Sequence, residues 1–273
     1  MELFWYVVTF CFGAIIGSFL NVVIYRIHTG RSLNGRSHCL TCGKHLEWYE
    51  LFPIVSYIIQ GAKCRGCTAY IPSRYLGVEL LTALSFLLLY GLFSSSPFLF
   101  VVYAILLSIL IVLLVYDMRH TIIPDELTMS VGIMALVILV VRYSDIHNAW
   151  VLLQDVIGGG AAAAFFGSLW YVSKGRWIGF GDAKLALPLG VIAGIASVFT
   201  MVVLAFWIGA AVSLVLLGLQ KILKRGKTTL LFLSHPLTMR SEVPFAPFLI
   251  LGFIATHFFH ADIFVITATL LPW

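Results

Sequence analysis

Long apolar stretches separated by short polar ones dominate the chain. A bilayer crossing needs about 20 apolar residues in helical conformation. Stretches of that kind fall at roughly 3–25, 75–93, 97–116, 125–141, 150–172, 183–197, 199–219 and 243–260. They predict an all-α polytopic membrane protein with about eight transmembrane helices. Residues 185–219 carry no charge and are too long for one crossing, so a break is expected near Ile195–Phe199. The first stretch carries Glu2, no basic n-region and no convincing small-residue cleavage site, so a retained helix is expected and not a signal peptide. The run GGGAAAA at 158–164 reads as a place where helix backbones approach closely. Between the first two spans lies 26–74, the only sizeable segment polar enough to stand outside the bilayer.

Composition agrees with the pattern. Of 273 residues, 61% are hydrophobic and 11% charged, against about 45–50% and 25% in a soluble domain. The segments 26–74, 117–125, 173–184 and 220–242 hold 16 of the 17 Lys and Arg residues, and only Arg142 lies across the membrane from them. The positive-inside rule makes those segments cytoplasmic and puts both termini outside. Topology thus accounts for the net charge of +5, and nucleic-acid binding is not implied.

The segment 26–74 contains HCLTCGKHLEWYELFPIVSYIIQGAKCRGC. Cys39 and Cys42 form one C-x-x-C pair, Cys64 and Cys67 another. Two such pairs can bring four thiolates to one tetrahedral zinc ion. Two disulfides are the alternative, disfavoured in a reducing cytosol. Four protein ligands leave no position for a water, so the expected zinc is structural. His38 and His45 flank the first pair and could compete as ligands. Cys11 reads as a packing residue within the first span.

Acidic residues number only twelve. Asp117 ends the third span in DMRHTIIPDELT, and Asp182 opens the sixth in GFGDAKLALPLG, both at the cytoplasmic boundary. An ionisable group near membrane depth is costly and suggests function. Two carboxylates brought together push their pKa values apart. One can then act as base toward water and the other as acid toward a scissile carbonyl. Gly179 and Gly181 lack Cβ atoms and would let a substrate backbone approach; Pro124 would fix the turn before the fourth span. Helix capping is the alternative, with Asp125 and Asp182 as N-caps. Asp117 does not fit it, because a helix C-terminus disfavours an anion. Spacing alone leaves the two readings level.

These residues carry a resemblance. DMRHTIIPD and GFGD resemble the paired signatures of the type IV prepilin peptidases, the GxGD class of intramembrane aspartic proteases. GSFLNVVIYRI at 17–27 is similar to that family's N-terminal signature, and the cysteine segment with IPSRYLGVE to its cytoplasmic loop. The likeness runs from Gly17 to about Gly190. Two local departures are His28, where proline is usual, and Glu50, where aspartate is common. The resemblance implies a bacterial inner-membrane enzyme that cuts the basic leader of prepilin or pseudopilin precursors after a glycine, at the cytoplasmic face. It further implies N-methylation of the new amine with S-adenosylmethionine, in systems such as pili or type II secretion. Asp117 and Asp182 match the catalytic pair, and Asp125 an accompanying acidic position.

No glycine-rich dinucleotide-type unit is present, so an S-adenosylmethionine site must be of another kind. Its candidates are Asn21, Arg26, Glu47, Arg74 and Glu79. For Glu79 an ion pair with Arg74, or contact with interfacial solvent, is the alternative. For Trp48 and Tyr49 an interfacial aromatic belt is favoured. Residues 1–95 are expected to form the methyltransferase-associated part and 96–273 the peptidase part. A proton-coupled transporter using the two aspartates is a competing class. Against it, both acids sit at one face and not at the midplane, and no inverted repeat is visible. A non-catalytic zinc-dependent assembly factor is the third class.

Overall fold

A computed structural model describes residues 2–29, 32, 34–223 and 244–263. The described residues form helices and turns without strands. Contacts divide the chain into two compact units, one up to Val112 and one from Leu113 onward.

In the first unit, α1 (Glu2–Thr29) lies against α3 (Arg74–Phe93). Glycines set their approach. A Cβ on Gly13 would come within 2.8 Å of Ala83 Cα, and one on Gly17 within 2.8 Å of Glu79 Cα. Neither position tolerates a side chain, which is how membrane helices come into backbone contact. Between them run a 3-10 turn (Trp48–Glu50) and the short α2 (Val55–Ile59). The long α4 (Pro97–His120) begins in this unit.

The second unit contains the end of α4, then α5 (Asp125–Ile146), α6 (Ala149–Ser173), α7 (Phe180–Ala193), α8 (Ile195–Leu223) and α9 (Ala246–Phe259). At its centre stands α7, packed by α5, α6, α8 and α9. Ten of its fourteen residues are buried. Beyond Asp182 and Lys184 it is apolar all round, and such a helix belongs in a core. The small-residue run of α6 receives it: a Cβ on Gly190 would lie 2.8 Å from Gly159 Cα.

Eight apolar helices are thus described, α1 and α3 to α9. Six of them are long and apolar enough to cross a membrane. The other two, α7 and α9, have 14 residues each. At 1.5 Å per residue each reaches only about 21 Å. The uncharged stretch breaks at Gly194, just ahead of the expected interval. Gly194 has φ +81°, and a Cβ there would lie 2.8 Å from Asp155 Oδ1. Asp155, buried in α6, pairs with Arg142 Nη1 at 2.9 Å. The missing side chain of Gly194 thus leaves room for the Asp155 carboxylate at the break. Most of the expected basic loop 220–242 lies outside the described residues.

Candidate active site

Asp117 occupies the last turn of α4, where its carbonyl accepts the Thr121 N–H at 2.8 Å. Pro124 (φ −64°, ψ 133°) is the N-cap of α5. The α7 helix starts at Gly179 (φ −71°, ψ 149°), and Asp182 stands at its third position. Its Oδ2 accepts the Gly179 N–H at 3.2 Å, the backward half of a capping box. Neither Asp125 nor Asp182 is an N-cap, contrary to the capping alternative. They lie one and three positions inside their helices, because Pro124 and Gly179 take the extended backbone that a cap requires.

Asp117 and Asp182 are 4% and 6% exposed. They lie within electrostatic range of one another, and the Ala246 N–H at the start of α9 faces Asp117. Asp117 Oδ2 and Asp182 Oδ1 are buried without a hydrogen-bond partner among the described atoms. An unsatisfied buried acceptor costs about 1–3 kcal/mol, more when charged, so two within electrostatic range of one another call for a reason.

The supporting residues fall around this pair. Asp125, exposed, accepts from Lys184 Nζ at 2.7 Å, tying the start of α5 to α7. A Cβ on Gly181 would lie 2.9 Å from Ile123 Cβ and 3.2 Å from its Cδ1. The expectation that Gly181 leaves room for substrate is therefore revised: its space is taken by the loop after α4. A Cβ on Gly179 would meet only the Asp182 carboxylate, at 3.4 Å.

In the first unit the four cysteines come together. Cys39, Cys42, Cys64 and Cys67 place their sulfurs within 4.8 Å of one another, and Cys39 and Cys67 are 3.8 Å apart. A tetrahedron with Zn–S bonds of about 2.3 Å has edges of about 3.8 Å, so the set fits a zinc ion. The two pairs share one backbone design. Gly43 N–H donates to Cys39 O and Thr68 N–H to Cys64 O, both at 2.9 Å. The residue after each pair takes a left-handed conformation, Gly43 at φ +73° and Thr68 at +57°. The backbone N–H of Cys42, then that of Thr41, lowers the Cys39 thiol to about 6. At Cys67 the Ala69 N–H favours the thiolate, but burial and the neighbouring thiols push it up to about 12. Four thiols this close ionise together only around a cation.

Beside the cluster lies a cavity of about 610 Å³, within the size range of cofactor sites. Asn21, Arg26 and Glu79 line it; Glu47 and Arg74 do not. Asn21 Nδ2 donates to Tyr75 O at 3.0 Å. Arg26 Nη1 donates to Ser32 O and Asn34 O at 2.8 and 2.9 Å. Glu79 Oε2 accepts the Ile54 N–H at 2.7 Å, which sets aside its pairing with Arg74; the Arg74 guanidinium lies over the Tyr75 ring. Glu47 instead caps the 3-10 turn, its N–H bonded to Glu50 Oε2 at 3.0 Å.

The cavity also holds Glu50 and Tyr57, which sequence reasoning did not place there. The signal for Glu50 was a lone acid within the apolar WYELFP. It is buried and pairs with Lys44 Nζ at 3.1 Å. The Glu47 N–H, then Lys44, holds its carboxyl below the usual range against its burial. Tyr57 is pushed up to about 12, first by its hydrogen bond with Tyr70 and then by burial. It can donate a proton in a hydrogen bond but is no base.

The second unit thus presents a buried acid pair of the kind that peptidases use, on helices fit for a membrane. Comparison with characterised proteins agrees. A family model described as the type IV leader peptidase family matches residues 104–214, and the bacterial peptidase A24 N-terminal domain matches 11–93. A prepilin leader peptidase/N-methyltransferase of Myxococcus xanthus is 33% identical over 76% of this chain and 62% of its own length. A type 4 prepilin-like proteins leader peptide-processing enzyme of Escherichia coli is 32% identical over 91% and 92%. The prepilin leader peptidase/N-methyltransferase of Vibrio cholerae is 31% identical over 66% and 74%. No solved structure matches. The chain belongs to the type IV leader peptidase family, and is an enzyme of that membrane class.

Proposed function

We propose that this protein removes the leader from type IV prepilin-like precursors at the cytoplasmic face of the bacterial inner membrane, and then methylates the amine it has released. The observation that carries the peptidase reading is the pair of buried aspartates, each with an oxygen lacking a partner. One ionised carboxylate of the pair takes a proton from water as that water attacks the scissile carbonyl. The other gives its proton to the carbonyl oxygen. When the tetrahedral species collapses, the C–N bond breaks and the leaving amine takes a proton back from the pair. The family relationship supports prepilins or pseudopilins as substrates and disfavours a transporter.

The cavity of the first unit is the site we propose for S-adenosylmethionine. The donor supplies a methyl group on a cationic sulfur. Glu50 and Glu79 provide the negative charge that a cation requires, and either can accept the proton that the amine loses. Tyr57 and Asn21 orient by hydrogen bonding. Cys39, Cys42, Cys64 and Cys67 would hold zinc and fix the loop that walls the cavity.

The test is incubation of purified protein with a prepilin in detergent, with and without S-adenosylmethionine, read by mass spectrometry. Cleavage should occur in both arms and a 14 Da increment on the new N-terminus only with the donor, one CH₂ added per transfer. Asp117→Asn and Asp182→Asn should each abolish cleavage, and the double variant should lose no more than either single one, since the pair acts as a unit. Full cleavage by a folded Asp182→Asn protein refutes the assignment.

A further inference from the structure

The cysteine segment carries an uncharged run, LFPIVSYII at 51–59, that neither the zinc site nor the acid pair uses. Nine residues are too few to cross a bilayer. Apolar runs of about this length are buried core helices or re-entrant and interfacial segments. The first option fails here. None of the five α2 residues is buried, and Trp48, Phe52, Val55, Ile58 and Ile59 are all exposed. A contiguous apolar face of this size seldom stays open to water.

The position of the segment says what covers it. The Ile54 N–H reaches Glu79, the sixth residue of α3. At 1.5 Å per residue that is about 7.5 Å along the helix from Arg74. Gly17 of α1 packs on the same residue, well inside the span Glu2–Ile27. Trp48, Leu51, Phe52 and Pro53 also share a groove of about 340 Å³ with Ile15 and Phe19 of α1. Ile15 and Phe19 are exposed on a helix apolar enough to span, so they face lipid. The apolar face of 48–59 continues their surface.

Backbone polarity, the usual objection to irregular chain at membrane depth, is answered in part by local bonds. Leu51 N–H donates to Trp48 O, Ser56 N–H to Phe52 O and Ile58 N–H to Ile54 O, at 3.0–3.2 Å. Pro53 has no N–H to satisfy. Ile54 stands at φ 63°, costly for a β-branched residue, and its N–H is the one that the Glu79 carboxylate accepts.

We infer that residues 48–59 form a re-entrant segment seated among the acyl chains of the leaflet where α1 ends and α3 begins. Its outer face, Phe52, Val55 and Ile59, meets lipid. Its inner face, Glu50, Ser56 and Tyr57, lines the 610 Å³ cavity. Lipid contact therefore positions one wall of that cavity. This consequence for methyl transfer rests on the cavity being the donor site; the insertion itself does not.

The test places the photo-crosslinker p-benzoylphenylalanine at 52, 59, 19 or 41 in the full-length protein. Each protein goes into nanodiscs of phosphatidylethanolamine and phosphatidylglycerol, and adducts are read by mass spectrometry. Position 19 reports the lipid face of α1, and Thr41 lies exposed between the first two cysteines. Positions 52 and 59 should give lipid adducts comparable to 19 and about tenfold above 41, as interfacial insertion by 5–10 Å requires. Adducts at 52 and 59 no higher than at 41, or adducts to polypeptide, overturn the inference. Equilibrium dialysis with S-adenosylmethionine tests the donor reading separately, and its failure would leave the adduct pattern unchanged.

Discussion

Replacing Gly181 by alanine separates two explanations of the glycine before Asp182. If the glycine admits substrate, an added methyl blocks the substrate and nothing inside the protein can relieve it. The structure gives a different obstacle. The new Cβ would lie 2.9, 3.2 and 3.3 Å from Ile123 Cβ, Cδ1 and Cγ1, inside ordinary van der Waals contact. Overpacking of this kind costs about 1–3 kcal/mol. If that strain shifts Asp182 against Asp117, cleavage should fall about 10- to 100-fold, at 1.4 kcal/mol per factor of ten. Ile123→Ala removes two of the three offending atoms and leaves the nearest, Cβ at 2.9 Å. The double variant Gly181→Ala/Ile123→Ala should therefore recover part of the lost rate, with a coupling of about 1 kcal/mol in a double-mutant cycle. Initial rates of leader removal and thermal unfolding midpoints, measured on all four proteins, give the cycle. Gly179→Ala should cost less than Gly181→Ala, because its methyl would reach only the Asp182 carboxylate, at 3.4 Å. Additive losses in the double variant would refute the packing explanation and return Gly181 to the substrate path.

Cys39→Ser should remove zinc, measured by elemental analysis of the purified protein, and lower methylation more than cleavage, since the aspartates belong to the other unit; full zinc occupancy in the variant would count against a four-thiolate site. Glu79→Gln keeps an acceptor for the Ile54 N–H but removes the charge, so methylation should fall at least tenfold with cleavage intact, and equal loss of both would mark Glu79 as structural. Arg142→Met leaves Asp155 buried and unpaired. Breaking a fully buried pair costs about 3–5 kcal/mol. Arg142 is 35% exposed, so a loss of about 2 kcal/mol is expected, read as a lower unfolding midpoint that Arg142→Lys partly restores.

The apolar periodicity of the chain was enough to find the helices, because a membrane helix announces itself by length and uniform hydropathy. It expected a break near Ile195–Phe199 from length alone, one residue past Gly194, but could not say what makes it. Gly194 stands at φ +81° beside a carboxylate from another helix, which no local window contains. The cysteines were legible because C-x-x-C spacing is itself a geometric constraint; their common turn was not, since Gly43 and Thr68 share a conformation and not a residue type. Asp117 and Asp182 stood out as acids in apolar surroundings. Glu50 was equally anomalous but was read as a family variation, and only the fold shows it buried beside the cavity. Glu47 failed as a cavity residue because a segment with turns every few residues gives no fixed period from which to read a face; Arg74, at the first position of α3, lies instead over the Tyr75 ring.

Five described acids are buried: Glu50, Glu79, Asp117, Asp155 and Asp182. Each had to leave water, and the fold treats them in two ways. Glu50 accepts from Lys44 and from the Glu47 N–H, Asp155 from Arg142, and Glu79 from the Ile54 N–H. Those three have the partners that make burial of a carboxylate tolerable. Asp117 and Asp182 have one buried oxygen each with no such partner, while the Gly179 N–H serves the other oxygen of Asp182. Stability alone would favour replacing either acid by an apolar residue of its size. Paired acids with open acceptors make sense where a proton must be held, handed to a substrate and taken back. That contrast within one chain, an orphaned buried oxygen on each of Asp117 and Asp182 and on none of the other three, supports the role proposed for the pair without reference to any motif.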